Sequence, residues 1–190
     1  MQHQGTQIID TERLLLRPFV VEDAEASYRN WTRDERVCKY LTWPPHKDVE
    51  VTRQVLSEWE ASYSDPSFYQ WAIVLKGLGE PIGSISVVRL IDKIKAAHIG
   101  YCIGYDWWHQ GIMTEAFQGV IDFLFGKVGF NRIETQHDTN NPRSGSVMKA
   151  CGLSFEGTHR QADWNNMGIV DTSIYAILRE DWLRAKEDGR

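Results

Sequence analysis

The sequence predicts a mixed α/β domain, and three observations predict it. Segments of alternating polarity read as strands, as in Ile82 to Ile91, where Ile85 and Val87 share one face and Ser84 and Ser86 the other. Segments with apolar residues at helical spacing read as helices, as with Val51, Val55, Leu56 and Trp59. The third observation is the stretch Tyr101 to Ala116, which joins one kind of element to the other. It starts as an alternating strand, breaks at Gly104, crosses an aromatic and polar turn, and reaches Gly111. An amphipathic run follows, with Ile112, Ala116, Val120, Ile121, Phe123 and Leu124. Strand, turn, glycine and helix in that order place unpaired backbone N–H groups and a positive helix-dipole end together. Such a point holds phosphate or pyrophosphate, and the bare Cα of Gly111 lets the ligand come close.

In chain order, residues 7–19 form a strand-like start with Leu14 and Leu16 alternating against Arg13 and Arg17, closed by Pro18. Val21 opens a helix rich in early acids that runs to about Trp31, and a second short helix covers 34–41. Trp43-Pro44-Pro45 is a breaker. Asp48 is the expected N-cap of a helix to about Tyr63. The period then changes, giving a strand over 68–75, a hairpin turn at Gly77 to Pro81, its return strand over 82–91 and a third strand over 95–104. The helix from Ile112 ends near Gly126 or Gly129, and Asn131 to His137 is a strand. Asn141-Pro142 starts the next helix, with Asn141 as cap, and it stops at Cys151-Gly152. Strands over 153–164 and 167–179 join near Asn165-Asn166, and a short helix over 179–186 closes the chain.

The bulk numbers restrict the class. A chain of 190 residues with 42% hydrophobic and 25% charged content fits one soluble domain. No apolar run approaches the ~20 residues of a membrane span, and Met1 to Gly5 is polar, so a cytoplasmic protein without a membrane partner is expected. Cys38, Cys102 and Cys151 are odd in number and far apart, which suggests neither a disulfide framework nor a metal site. A net charge of −5 without a basic stripe argues against nucleic acid as a partner.

Five motifs then occur in a telling order: Glu12 to Pro18, Ile99-Gly100-Tyr101, Gly111 to Ala116, Asn141-Pro142-Arg143-Ser144, and Gly152-Leu153. Together they resemble the GNAT acetyltransferases, in the branch of the RimJ/RimL-type ribosomal-protein N-terminal acetyltransferases. The resemblance covers about 8–180, which implies a single domain over 8–180 with tails over 1–7 and 181–190. It implies the GNAT fold, an α+β three-layer arrangement with a twisted, mostly antiparallel sheet of six or seven strands that splays at its centre. Acetyl-CoA would enter the splay as co-substrate, with no metal. Its pantetheine would pair with backbone around Cys102 and Ile103, its pyrophosphate would sit on amides of His109, Gln110, Gly111, Ile112, Met113 and Thr114, and Gly104 and Trp108 would be further cofactor-binding residues. Asn141 and Ser144 would lie near the sulfur. The phosphate loop departs from the family pattern by placing Met113 where a small residue is usual. A homodimer is a further family expectation.

Acetyl transfer to an amine needs a neutral amine, a stabilised carbonyl oxygen and a proton or donor for the departing thiolate. Deprotonating a lysine amine at pH 7 costs about 4–5 kcal/mol, and an α-amine only about 1 kcal/mol. Asp163, at a strand end where RimL-type enzymes carry an acid, is the first candidate base. The alternative is a turn-forming aspartate before Trp164-Asn165-Asn166. His98 is the second candidate, with an ordinary pKa suited to proton transfer near neutrality, and His137 the third. Ser144 is the candidate donor to the thiolate, and the resembling segment holds no tyrosine for that task. The oxyanion donor would be a backbone N–H near Ile103. Cys102 and Cys151 read as core residues rather than nucleophiles. Trp59 and Trp71 read as core, and Trp31, Trp43 and Trp164 as the rim of a substrate mouth.

The leading expectation is an N-acetyltransferase acting on a primary amine, a protein N-terminus foremost. Two alternatives are a small-molecule amine acetyltransferase (polyamine, amino acid or antibiotic) and a non-catalytic acyl-CoA-binding module. A Rossmann dinucleotide binder fits poorly, since the Gly-x-Gly-x-x-Gly fingerprint is missing.

Overall fold

In the computed structural model, which describes residues 1–189, the chain opens with strands β1 (Ile9–Asp10) and β2 (Leu14–Arg17). Helices α1 (Ala24–Ser27), α2 (Glu35–Cys38) and α3 (Val49–Ser62) follow. Next come β3 (Gln70–Leu75), β4 (Glu80–Ile91) and β5 (Ala96–Ile103), and then α4 (Ile112–Phe123). The chain ends through β6 (Arg132–Asp138), α5 (Pro142–Ala150), β7 (Ser154–Asn165), β8 (Gly168–Leu178) and α6 (Arg179–Glu187). The strands make one sheet in the order β1-β2-β3-β4-β5-β6-β8-β7. It has eight strands rather than six or seven, the extra one being the two-residue β1. Every pairing is antiparallel except β5 with β6.

The sheet has a core on each face. Trp71 and Ile73 of β3 join Leu14, Leu16, Ile85, Ile99 and Ile133 under the α4 residues Ala116, Phe117 and Val120. Ala72 and Val74, on the opposite side of β3, pack with Phe19, Trp31 and Leu56 beneath α1 and α3. A strand covered on both faces loses its polar alternation, which is why β3 reads as an unbroken apolar run. Trp31 is therefore a core residue packed beside Phe19, not part of a substrate rim.

Helix ends follow their local chemistry. Asp48 accepts the Val51 N–H and caps α3 as expected, a contribution of about 1 kcal/mol. The acid-rich segment after Pro18 divides into a 3₁₀ turn, the short α1 and a wide turn to Thr32, and α2 spans only four residues. The run after α4 widens through Leu124–Val128 and stops at Gly129, whose φ of +86° suits glycine. Among the described residues no helix is long and apolar enough to cross a membrane.

Candidate active site at the opening between two strands

Strands β5 and β6 pair only at Ala96–Arg132, Ala97–Ile133 and His98–Glu134. One side-chain link follows, from the Thr135 hydroxyl to the Ile99 carbonyl at 2.8 Å. Beyond it the strands part, while β4 continues along the other edge of β5 as far as Gly83–Ile103. That pairing is tight, because a Cβ at Gly83 would lie 2.4 Å from the Cys102 carbonyl oxygen. A cavity of about 880 Å³ fills the opening. Its walls come from Arg36 to Leu41, the end of β5, the turn before α4, and the first turns of α5.

The turn is shaped by His109 and Gly111, with φ of +60° and +72°. Gly111 occupies the N-cap position of α4, and the first bond of the helix runs from the Glu115 N–H to the Gly111 carbonyl at 3.0 Å. The N–H groups of Ile112 to Thr114 precede that ladder and lie at the positive end of the dipole. Arg13 braces the turn from β2's approach: Nη1 donates to the Gln110 carbonyl at 2.9 Å, and Nε pairs with Glu115 at 2.6 Å. The Trp108 indole N–H donates to the Ile103 carbonyl at 2.9 Å, pinning the turn to the free end of β5.

Ten of the cofactor-binding residues expected from the sequence line the cavity: Cys102, Ile103, Trp108, His109, Gly111, Ile112, Met113, Thr114, Asn141 and Ser144. Gly104 and Gln110 shape it from behind. Gly104 is buried where a Cβ would lie 2.4 Å from the Asn30 carbonyl oxygen, and the Gln110 side chain donates to the Asp106 carbonyl at 2.8 Å. Asn141 stands at the N-cap position of α5 without a side-chain capping bond, so the expected cap is absent, and the residue lines the cavity. Pro142 follows in the first turn as expected.

A residue that sequence reasoning passed over joins Ser144. Tyr101 packs on Phe117, and its hydroxyl reaches the Ser144 Oγ at 2.9 Å and donates to the Ser144 carbonyl at 3.0 Å. Burial, only partly offset by the Ser144 bond, raises the phenol above its ordinary pKa, so it stays protonated at neutral pH. The clue in the sequence was its place one residue before Cys102, on the strand face that turns toward α5. Burial likewise raises the Cys102 thiol, and it raises Cys151 to about 12, which keeps both as thiols.

His98 and Asp163 stand outside the cavity wall. His98 Nδ1 lies 3.3 Å from Glu134, which also receives Arg89 at 2.9 Å and Arg132 at 3.0 Å. Burial lowers the His98 pKa against the pull of Glu134, leaving a neutral ring. Burial opposes the Glu134 charge as well, but the bonds from Arg132, His98 and Arg89 outweigh it and hold the carboxyl below its ordinary range. Asp163 accepts from the Gln136 amide and, at 2.8 Å, from the Trp164 N–H. The His137 Nδ1 donates to the Asp138 carbonyl at 2.7 Å, and its ring lies against Gly145.

The charged groups that do line the cavity are Arg36, Lys39 and Arg143, with His109 beside them. This cationic wall belongs to a chain of net charge −5. Arg36 is paired with Asp34 and lies 3.8 Å over the Tyr105 ring, and Arg143 lies 5.3 Å over Trp108. Free amides, a helix dipole and fixed cations form a fit for a diphosphate-bearing molecule.

Comparisons with known proteins identify the family. A family profile described as Acetyltransferase (GNAT) domain matches residues 13–154. The uncharacterized N-acetyltransferase YoaA of Bacillus subtilis is 30% identical over 172 residues, covering 90% of this chain and 97% of that protein. The ribosomal-protein-serine acetyltransferase of Escherichia coli is 26% identical over 138 residues, covering 73% and 76%. The crystal structure of a GNAT-family acetyltransferase from Bacillus anthracis superposes with a TM-score of 0.80 at 25% identity, covering 92% of this chain and 99% of that one.

Proposed function

The chain belongs to the GNAT acetyltransferase family and is an acetyl-CoA-dependent N-acetyltransferase, and on that premise we propose that it acetylates the α-amine at the end of a polypeptide. The observation that carries this reading is the cationic charge of the cavity wall from Lys39 and Arg143, Arg36 being paired with Asp34. Such a wall raises the cost of admitting an ammonium ion and favours an amine that is readily neutral. Neutralising an α-amine at pH 7 takes about 1 kcal/mol against about 4–5 kcal/mol for a lysine side chain. The relative from Escherichia coli, named for acetylating a ribosomal-protein serine, points the same way.

Acetyl-CoA supplies an activated thioester, and the residues of this chain bind it and manage the protons. The amides from His109 to Thr114 hold the diphosphate, with Arg143 adjacent. The open edge of β5 at Cys102 and Ile103 offers backbone to the pantetheine arm, and a backbone N–H there stabilises the carbonyl oxygen as it gains charge. The acceptor nitrogen forms the new C–N bond, the C–S bond breaks, and Ser144 donates a proton to the departing sulfur. Tyr101, held to Ser144 Oγ and to the Ser144 carbonyl, positions that hydroxyl, and solvent returns the proton that Ser144 gives up. The amine's own proton leaves through solvent to Asp163 on the strand beyond Gln136. His98, bonded to Glu134, is the weaker candidate for that task.

A thiol-release assay with acetyl-CoA and matched peptides tests the reading. A peptide with a free N-terminus and no lysine should turn over at least about tenfold faster than its N-blocked, lysine-containing counterpart at pH 7. Turnover confined to polyamines or other small amines would overturn it.

A further inference from the structure

Gly111 to Thr114 line the cavity, and the next residue, Glu115, puts a carboxylate in the first turn of the same helix. Its Oε1 accepts from the Thr11 hydroxyl at 2.6 Å and from the Arg13 N–H at 2.8 Å. Its Oε2 accepts from Arg13 Nε at 2.6 Å. Burial opposes the charge, but the bonds from Thr11 and Arg13 outweigh it and hold the carboxyl below its ordinary range. Glu115 is therefore an anion at neutral pH, beside amides that have an anionic diphosphate to hold. Carboxylate and diphosphate draw on the same helix dipole and repel each other.

Arg13 answers that charge and reaches past it. It stands in the tight link between β1 and β2, where the Thr11 N–H donates to the Leu14 carbonyl at 3.0 Å. Its Nη1 donates to the Gln110 carbonyl at 2.9 Å. That carbonyl shares a peptide group with the Gly111 N–H, so the bond polarises one of the amides in the turn. Nη2 makes no hydrogen bond among the described residues, and a Cβ on Gly111 would lie 3.6 Å from it. One guanidinium is set against both the carboxylate and the turn. The Arg13 side chain is 42% exposed and that of Glu115 17%, so water and salt screen the cation more than the anion.

We propose that Arg13 masks Glu115: the carboxylate anchors the turn, and the guanidinium cancels the repulsion it would exert on the diphosphate, which makes Arg13 a positioning residue that sets coenzyme affinity. The inference rests on the coenzyme reading of the cavity and not on which amine is the acceptor. A mask and a mere brace differ in one consequence. Cutting the pair from either end breaks the same ion pair, so a brace weakens equally from both cuts. A mask loses affinity when the cation goes and gains it when the anion goes.

Calorimetric titration with acetyl-CoA of wild type, Arg13→Gln, Glu115→Gln and the double variant separates the two. Arg13→Gln should bind about tenfold more weakly than wild type and Glu115→Gln about threefold more tightly, with both differences shrinking at about 0.5 M salt. The double variant should recover most of the loss caused by Arg13→Gln. Acetyl-pantetheine, which lacks the diphosphate, serves as a second donor, and the ratio of kcat/KM for acetyl-CoA to acetyl-pantetheine should fall about tenfold in Arg13→Gln. Unchanged affinity in Arg13→Gln, an equal loss in both single variants, or no recovery in the double variant overturns the mask. If Arg13→Gln fails to fold, Glu115→Gln decides alone: tighter binding supports the mask, and equal or weaker binding overturns it. If wild type itself shows no saturable binding, the coenzyme reading fails, and the mask with it.

Discussion

At Ala96 to His98, β5 runs beside β6, and Glu134 gathers Arg89, His98 and Arg132 across the strands. At Cys102 and Ile103, the same strand faces a cavity in place of a partner. The first region is closed by ladder bonds and ion pairs. In the second, one edge of β5 still pairs with β4 while the other is open to a ligand. Buried backbone groups need partners, so an opening in a sheet is stable only if side chains, water or a ligand complete it. Thr135, Trp108 and the Tyr101–Ser144 pair supply part of that completion. The contrast teaches that the site is a strand position vacated by design of the neighbouring contacts, and each region can be broken separately.

The largest effect should come from forcing the open region shut or apart. Gly83→Val puts a side chain where even a Cβ would be 2.4 Å from a backbone oxygen and 2.8 Å from the Ile103 Cα. It should cost roughly 3 kcal/mol or more of stability, read by urea denaturation. Next is the proton donor. Ser144→Ala should lower kcat about a hundredfold with little change in acetyl-CoA affinity. Tyr101→Phe should lower it less, and steady-state kinetics of the double variant should show less than the product of the two losses, because the residues act in series.

The closed region should respond in stability rather than rate. Glu134→Gln removes charge-assisted bonds worth about 1.5–3 kcal/mol each before the loss is shared among partners, and it should lower Tm while leaving acetyl-CoA affinity intact. The folded Glu134 carboxyl is depressed, so its contribution is fully present above the unfolded value and is lost as pH falls through the folded one. Thermal melts of the two proteins should therefore differ most at neutral pH and converge in acid. Loss of the difference at pH 7 would detach the hub from stability. The smallest effect is expected for Asp163→Asn, a few-fold fall in kcat at pH 7 that recovers near pH 9, where an α-amine is already neutral. A pH-independent loss would assign Asp163 to structure.

Much of this was legible in the sequence because it is local. The strand–turn–glycine–helix order at Tyr101 to Ala116 announced the amide cluster, and Asp48 and Gly129 marked helix ends through capping chemistry alone. Other features depend on residues far apart in the chain and left no local mark. Tyr101 meets Ser144 only because α5 folds back over β5. Arg13 reaches the phosphate turn across 97 positions, and Asn166 meets Cys38 across 128. Asn141 shows the opposite case. Its local pattern spelled a cap, but its side chain makes no capping bond and the residue lines the cavity.

The central claim is that the open end of β5 and the amides before α4 together hold coenzyme A. Calorimetric titration of the folded protein with acetyl-CoA tests it most directly. The account predicts saturable binding at one site per chain, weakened at least about tenfold in Gly111→Val, whose side chain would obstruct the amides at a left-handed position. Equal affinity in wild type and variant, or no saturation for either, would contradict it.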